Sequence, residues 1–108
     1  MKFDIEQTIN DMLAAIKGVV SDHWDEVKTV DTEFLKRRKD RLQLIAELRI
    51  SGELSQEKFE SRLNDEKLIA EAELSAAAVI SKAIAQKAAN AAIDVLSKAV
   101  KGVVDVII

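Results

Sequence analysis

Apolar residues recur every three or four positions through the first half of the chain, which is the spacing of one face of a helix. The phase of this repeat does not slip at Gly18, so we predict one continuous helix over residues of about 5–50. Asp4, with Gln7 three residues later, has the pattern of a capping box. The alternative is a break in which Gly18 ends a short helix and Ser21 caps the next. The apolar face consists of Ile9, Leu13, Ile16, Val20, Trp24, Val27, Phe34, Leu42, Ile45 and Leu48.

The segment SGELSQ has the signals of a tight connection between two helices. Gly52 suits the left-handed position after a helix end, and Ser55 suits the cap of the next helix. Leu54 and Phe59 are spaced as a hydrophobic staple across that cap. Because so short a connection makes neighbouring helices antiparallel, we predict a turn over 51–55 and a second helix over residues of about 56–106.

The second helix changes character along its length. Up to Glu73 it is dense in charge, and Arg62 and Glu66 are spaced as a supporting pair on an exposed face. From Leu74 on, polar residues follow one narrow line, which predicts a single helix with one side facing water. This line consists of Lys82, Gln86, Asn90, Asp94, Ser97, Lys101 and Asp105. The predicted fold is therefore all-α, with residues 1–108 forming a single antiparallel helical hairpin of coiled-coil type.

The apolar arc of residues 74–108 is wider than a two-helix hairpin can cover. Such a hairpin would be about 70 to 75 Å long. Each uncovered aliphatic side chain forgoes about 1.5–3 kcal/mol of burial, against a net stability of only about 5–15 kcal/mol. We therefore expect a homo-oligomer, in which small side chains let helices of different copies approach closely. The predicted self-association residues are Ala77, Ile80, Ser81, Ile84, Ala85, Ala88, Ala89, Ala92, Val95, Leu96 and Val103.

The chain ends in an apolar, β-branched tail, GVVDVII, at a position where helices normally fray. We expect this tail to dock into a neighbouring subunit, with insertion into lipid as the alternative. Its apolar residues are Val103, Val104, Val106, Ile107 and Ile108.

A basic cluster interrupts the polar face of the first helix. It could meet an anionic partner, either nucleic acid or a lipid headgroup. Acidic residues flank it and no aromatic residue interleaves for base stacking, so we favour a solvated helical face or an intersubunit salt-bridge patch. The cluster consists of Lys36, Arg37, Arg38, Lys39 and Arg41.

The composition of the chain excludes several kinds of chemical site. The chain has no cysteine, which excludes disulfides, thiol nucleophiles and thiolate metal sites. Its net charge of −3 argues against bulk affinity for nucleic acid. The carboxylates next to the lone histidine, His23, point in different directions on a helix and so do not form a metal site with it, and no Glu-x-x-His motif occurs. We expect no catalytic residue, no metal, no cofactor and no small-molecule substrate, and therefore no enzyme.

The sequence argues against a secretory signal and against a simple transmembrane anchor. Asp4, Glu6 and Asp11 interrupt the apolar core that a secretory signal needs, and the uncharged run 74–81 is far shorter than a membrane span. By default we expect a cytoplasmic protein. The sequence favours a non-enzymatic structural or assembly protein that self-associates through its Ala-rich amphipathic helix and that could join a larger assembly. The alternative is a membrane-active amphipathic protein, either a pore-former or a lipid-surface coat.

Overall fold

A computed structural model describes residues 3–77 and 80–107, with the side chain of Ile107 left aside, and these residues form an all-α fold, as predicted. These described residues form four helices in chain order: α1 (Ile5–Val20), α2 (Trp24–Ile50), α3 (Gln56–Ala76) and α4 (Lys82–Ile107). A single 3-10 turn, Ser21–His23, joins α1 to α2.

The prediction of one unbroken helix over 5–50 is wrong, because the chain reverses at the 3-10 turn. Ser21 has φ 52° and ψ −111°, and its N–H donates to the carbonyl of Lys17. Gly18 stays inside α1, and the Ser21 side chain does not cap α2. The reversal lets Val20 and Val27, on either side of the turn, both enter the core. Burial of α1 against the rest of the chain thus outweighs the local preference for a continuous helix.

The prediction of one unbroken helix over 56–106 is wrong as well. Helix α3 ends at Ala76 and α4 begins at Lys82, with Ile80 buried in the connection. The Ser81 hydroxyl accepts a hydrogen bond from the Ile84 N–H at 3.2 Å, which satisfies one of the free donors of the first turn of α4. The reversal of the chain between α3 and α4 places the Ala-rich α4 beside both α3 and α1.

The connection between α2 and α3 forms as the sequence predicts. Gly52 has φ +85°, and the Ser55 hydroxyl accepts a hydrogen bond from the Lys58 N–H at 3.2 Å. Leu54 and Phe59 are both buried. At the start of α1, Asp4 accepts from the Gln7 N–H at 3.1 Å as expected, but the Gln7 side chain donates to Asp11 and does not complete a capping box.

The four helices form a bundle in which each packs against the next, and α1 closes the ring by packing most extensively against α4. Ion pairs of Glu6 with Lys39 and of Arg38 with Glu66 join α1 to α2 and α2 to α3. The bundle measures 42 × 23 × 20 Å, far shorter than the extended hairpin. Apolar side chains of all four helices share one core. The arc that seemed too wide for a hairpin is therefore largely covered within one chain.

Candidate functional site

Two carboxyl groups lie inside the bundle, and the first belongs to Glu66 of α3, which is 4 % exposed. Arg38 of α2 donates to it through Nη2 at 2.5 and 2.8 Å and through Nε at 3.1 Å. The Nε of Arg41 lies 3.8 Å from Glu66 Oε1. The buried charge is thus held by a multidentate guanidinium bond, which is the arrangement that offsets the cost of desolvation.

The second buried carboxyl is Asp31 of α2, which is 2 % exposed. Its Oδ2 atom has no hydrogen-bond partner among the residues that the structure describes. Burial raises the pKa of Asp31 from its ordinary value of 3.8 to about 7. A neutral carboxylic acid tolerates an apolar site far better than a carboxylate does, so the group holds its proton well above the usual range.

A small cavity adjoins both carboxyl groups. Its volume is about 10 Å³, close to that of a single water probe. Side chains of all four helices line it, and its polar members are Asp31, Arg38 and Glu66. The remaining lining residues are apolar, among them Met12 and Ile16 of α1. The cavity is too small for a metabolite, and the chemistry that the site offers is the gain or loss of one proton.

The apolar repeat of the helices places both carboxyls inside. Asp31 stands four residues after Val27 and three before Phe34, and so occupies a core position of α2. Glu66 stands likewise between Leu63 and Ala70 of α3. The predicted exposed pair of Arg62 with Glu66 is wrong, because Glu66 turns inward to Arg38. A charged residue in register with the apolar stripe is the signal that could have revealed both groups.

The residues predicted for self-association lie mostly inside the chain's own core. Most of them belong to α4, and the helix that α4 contacts most is α1. Ala85, Ala88, Ala89, Ala92 and Leu96 are at most 1 % exposed. Ile80 and Val103 are also buried, Ala77, Ile84 and Val95 are partly buried against the core, and Ser81 is exposed. The surface that seemed to need a second copy is thus covered by the same chain in this state.

Four of the five side chains of the basic cluster form ion pairs with neighbouring helices, so the cluster is not a patch of unpaired positive charge. The hydrogen bond to Glu6 raises the pKa of the Lys39 ammonium above its usual value. Lys36 has no ion pair with any residue of the described ranges 3–77 and 80–107. The pairs are Arg37 with Glu73 at 3.5 Å, Arg38 and Arg41 with Glu66, and Lys39 with Glu6. These ion pairs all form within one chain, so the predicted intersubunit salt-bridge patch stays a prediction.

The apolar tail is divided between core and solvent. Val103 is buried and Val104 packs partly against the core, whereas Val106 is 59 % exposed. The side chain of Ile107 and the whole of Ile108 lie outside the described residues, and the tail's predicted docking into a neighbouring subunit stays a prediction.

Within the described part of the chain, no group of three His, Asp or Glu side chains is placed to hold a metal ion. His23 lies near one carboxylate, with Nδ1 3.7 Å from Glu26 Oε1. None of the described helices combines the length and the apolar character that crossing a membrane requires.

Comparisons with protein-family models, with curated proteins and with solved structures find no match to this chain.

Proposed function

We propose that this protein is a non-enzymatic assembly protein that self-associates by exchanging α1 between copies. In the exchanged form, α1 of one copy would cover the Ala-rich face of α4 in another. The observation that carries the proposal is that α1 and α4 form the most extensive helix contact in the bundle, although they are the first and last helices of the chain. Exchange would rebuild this contact between two copies without any new surface.

The connection at Ser21 favours such an exchange. A non-glycine residue at φ 52° and ψ −111° is in a sparsely populated region that costs about 1–3 kcal/mol. The apolar repeat continues in helical phase from α1 into α2. A straightened connection would therefore relieve the strain and keep the apolar faces of both helices aligned.

The interior offers little room for catalysis, which supports a role in association. The cavity beside Asp31 has a volume of about 10 Å³. A pocket for a small molecule usually measures about 300–1,000 Å³. We therefore assign no substrate and no cofactor to this site.

The test mixes ¹⁵N-labelled and unlabelled chains in denaturant, refolds them together at high concentration and isolates the dimer. A carbodiimide then couples Lys39 to Glu6, which contact each other in the bundle. Exchange predicts cross-linked peptides that join a labelled to an unlabelled chain. The Glu6→Gln variant controls for the site of coupling. A dimer fraction that contains only cross-links within one isotope would overturn exchange through α1.

Membrane binding is the second candidate, and one observation favours it: Val106 stands 59 % exposed next to the end of the chain. Against it, the apolar face of α4 points into the bundle, and no aromatic residue follows Phe59. We expect no sedimentation with anionic vesicles of mixed phosphatidylcholine and phosphatidylserine at physiological salt. Binding that disappears when residues 103–108 are deleted would make the membrane function the better proposal.

A further inference from the structure

We propose that Asp31 controls the release of α1 by protonation, so that the bundle opens for exchange when this carboxyl group is ionised. The inference rests on the proposed exchange of α1 and names what regulates it. It begins from geometry, because Asp31 is buried, has an unpaired oxygen and lines the same cavity as Met12 and Ile16 of α1.

The charged groups that face this cavity do not neutralise Asp31. Helix α2 contributes Arg38, and α3 contributes Glu66, to which that guanidinium is bound. Helices α1 and α4 contribute only apolar side chains, Met12 and Ile16 from α1 and Ala92 and Ile93 from α4. Ionised Asp31 would thus add a negative charge to the lining of a cavity whose guanidinium is already bound to Glu66.

Departure of α1 removes one wall of the cavity and admits water to Asp31. Water stabilises the carboxylate, so the open state binds the proton more weakly than the closed bundle does. Because the pKa of Asp31 in the bundle is about 7, the open state gains population as pH rises toward that value, and the gain levels off above it. The strained turn at Ser21 is the point about which α1 would move.

Hydrogen exchange of the full chain, read by NMR at low concentration, measures this opening directly. We compare the opening constant for amides of Ile9–Ile16 at about pH 6 and about pH 8, after correction for intrinsic exchange. A group with a pKa near 7 in the closed state should raise this constant about tenfold over that interval. The Asp31→Asn variant, which keeps the size and polarity of the side chain, should abolish the rise.

Asp94→Asn is the matched control, because Asp94 is an exposed carboxyl on α4. It should keep the rise that the wild-type chain shows. Equal pH dependence in the wild type and Asp31→Asn would overturn the proposal. So would equal opening constants for the amides of Ile9–Ile16 in α1 and of Leu63–Ala70 in α3, since the whole bundle would then be opening and not α1 alone.

The exchange itself is scored separately. Folded labelled and unlabelled chains are incubated together without denaturant at the same two pH values, and the carbodiimide cross-link is then made at one common pH. If the opening of α1 depends on pH and mixed cross-links increase with pH, both proposals are supported. If the opening of α1 depends on pH but no mixed cross-link forms, the role of Asp31 is supported and the proposed assembly is contradicted. Mixed cross-links without pH-dependent opening contradict the role of Asp31 and leave the assembly supported.

Discussion

Asp31 shows how one polar side chain at a core position can make the stability of a whole bundle depend on pH. Its carboxyl is buried with one oxygen unpaired, whereas the buried Glu66 is held by Arg38. Ionisation of Asp31 therefore opposes folding, whereas the guanidinium of Arg38 offsets the cost of burying the Glu66 carboxylate.

The first prediction concerns Asp31→Asn. Between the ordinary pKa of 3.8 and the folded value of about 7, the folded chain binds a proton that the unfolded chain has lost. The contribution of Asp31 to stability is therefore fully present below the lower value and decreases as pH rises to the upper one, by roughly 4 kcal/mol in total. Urea unfolding from about pH 4 to about pH 8 should show this decrease in the wild type relative to the variant. Parallel profiles would contradict the account.

The second prediction compares Glu66→Gln with Glu73→Gln. Loss of the Glu66 charge leaves Arg38, 29 % exposed, without its partner, and we expect a loss of about 1–3 kcal/mol. Glu73 pairs with Arg37 at 3.5 Å, but both side chains are well exposed, so its change should cost less than about 1 kcal/mol. Chemical unfolding near neutral pH measures both. Equal losses would mean that burial of the pair adds nothing.

At the scale of the elements, Gly52 and Gly18 lie in different backbone conformations, so we expect their replacement by alanine to have opposite effects on stability. Gly52 has φ +85°, so Gly52→Ala should destabilise the α2–α3 connection by about 1 kcal/mol. Gly18 lies within α1, where a Cβ atom would meet nothing within 4 Å. Gly18→Ala should therefore stabilise the chain by about 0.5–1 kcal/mol. The two variants should shift the thermal midpoint in opposite directions, and a shift in the same direction would refute the assignment.

Helix α4 provides a further prediction about close packing. Ala85 and Ala89 are 0 % exposed, so Ala85→Leu or Ala89→Leu should overpack the core and cost about 1–3 kcal/mol each. Ala83 lies on the exposed side of the same helix, and Ala83→Leu is the control that should change stability little. If all three variants unfold at the same denaturant concentration, the alanines serve helix propensity and not packing.

The elements also show how far the sequence alone predicts this structure. The connection over 51–55 and the caps at Asp4 and Ser55 are local features, and their residues identify them without knowledge of the fold. The reversal at Ser21 is not local, because an apolar stripe has the same spacing on a straight helix as on two helices that fold back. Which helix faces Ala89 depends on contacts between the first and last quarters of the chain.

The candidate site was less predictable than the helices. Asp31 and Glu66 occupy core positions, but a charged residue within an amphipathic repeat can also lie at the edge of the exposed face. The distinction depends on how closely neighbouring helices approach that position. The unpaired state of Asp31 follows only once Arg38 is seen to be bound to Glu66.

At the scale of the whole molecule, the bundle covers most of the apolar arc that is too wide for a two-helix hairpin to cover. The chain folds twice more and brings α1 onto α4, which reduces its greatest dimension to 42 Å. We propose that the same contact also forms between two copies. In that case, local concentration and the strain at Ser21 would set the balance between closed monomers and exchanged dimers.

Analytical ultracentrifugation tests the proposed exchange most directly. Chains of 11.9 kDa are held at high concentration at about pH 8, where opening is favoured, and are then diluted to the micromolar range. Exchange predicts a species of two chains that persists for hours after dilution, because each copy must open before it can separate. The mass of one chain at every concentration, or a dimer that dissociates as soon as it is diluted, would contradict assembly by exchange of α1.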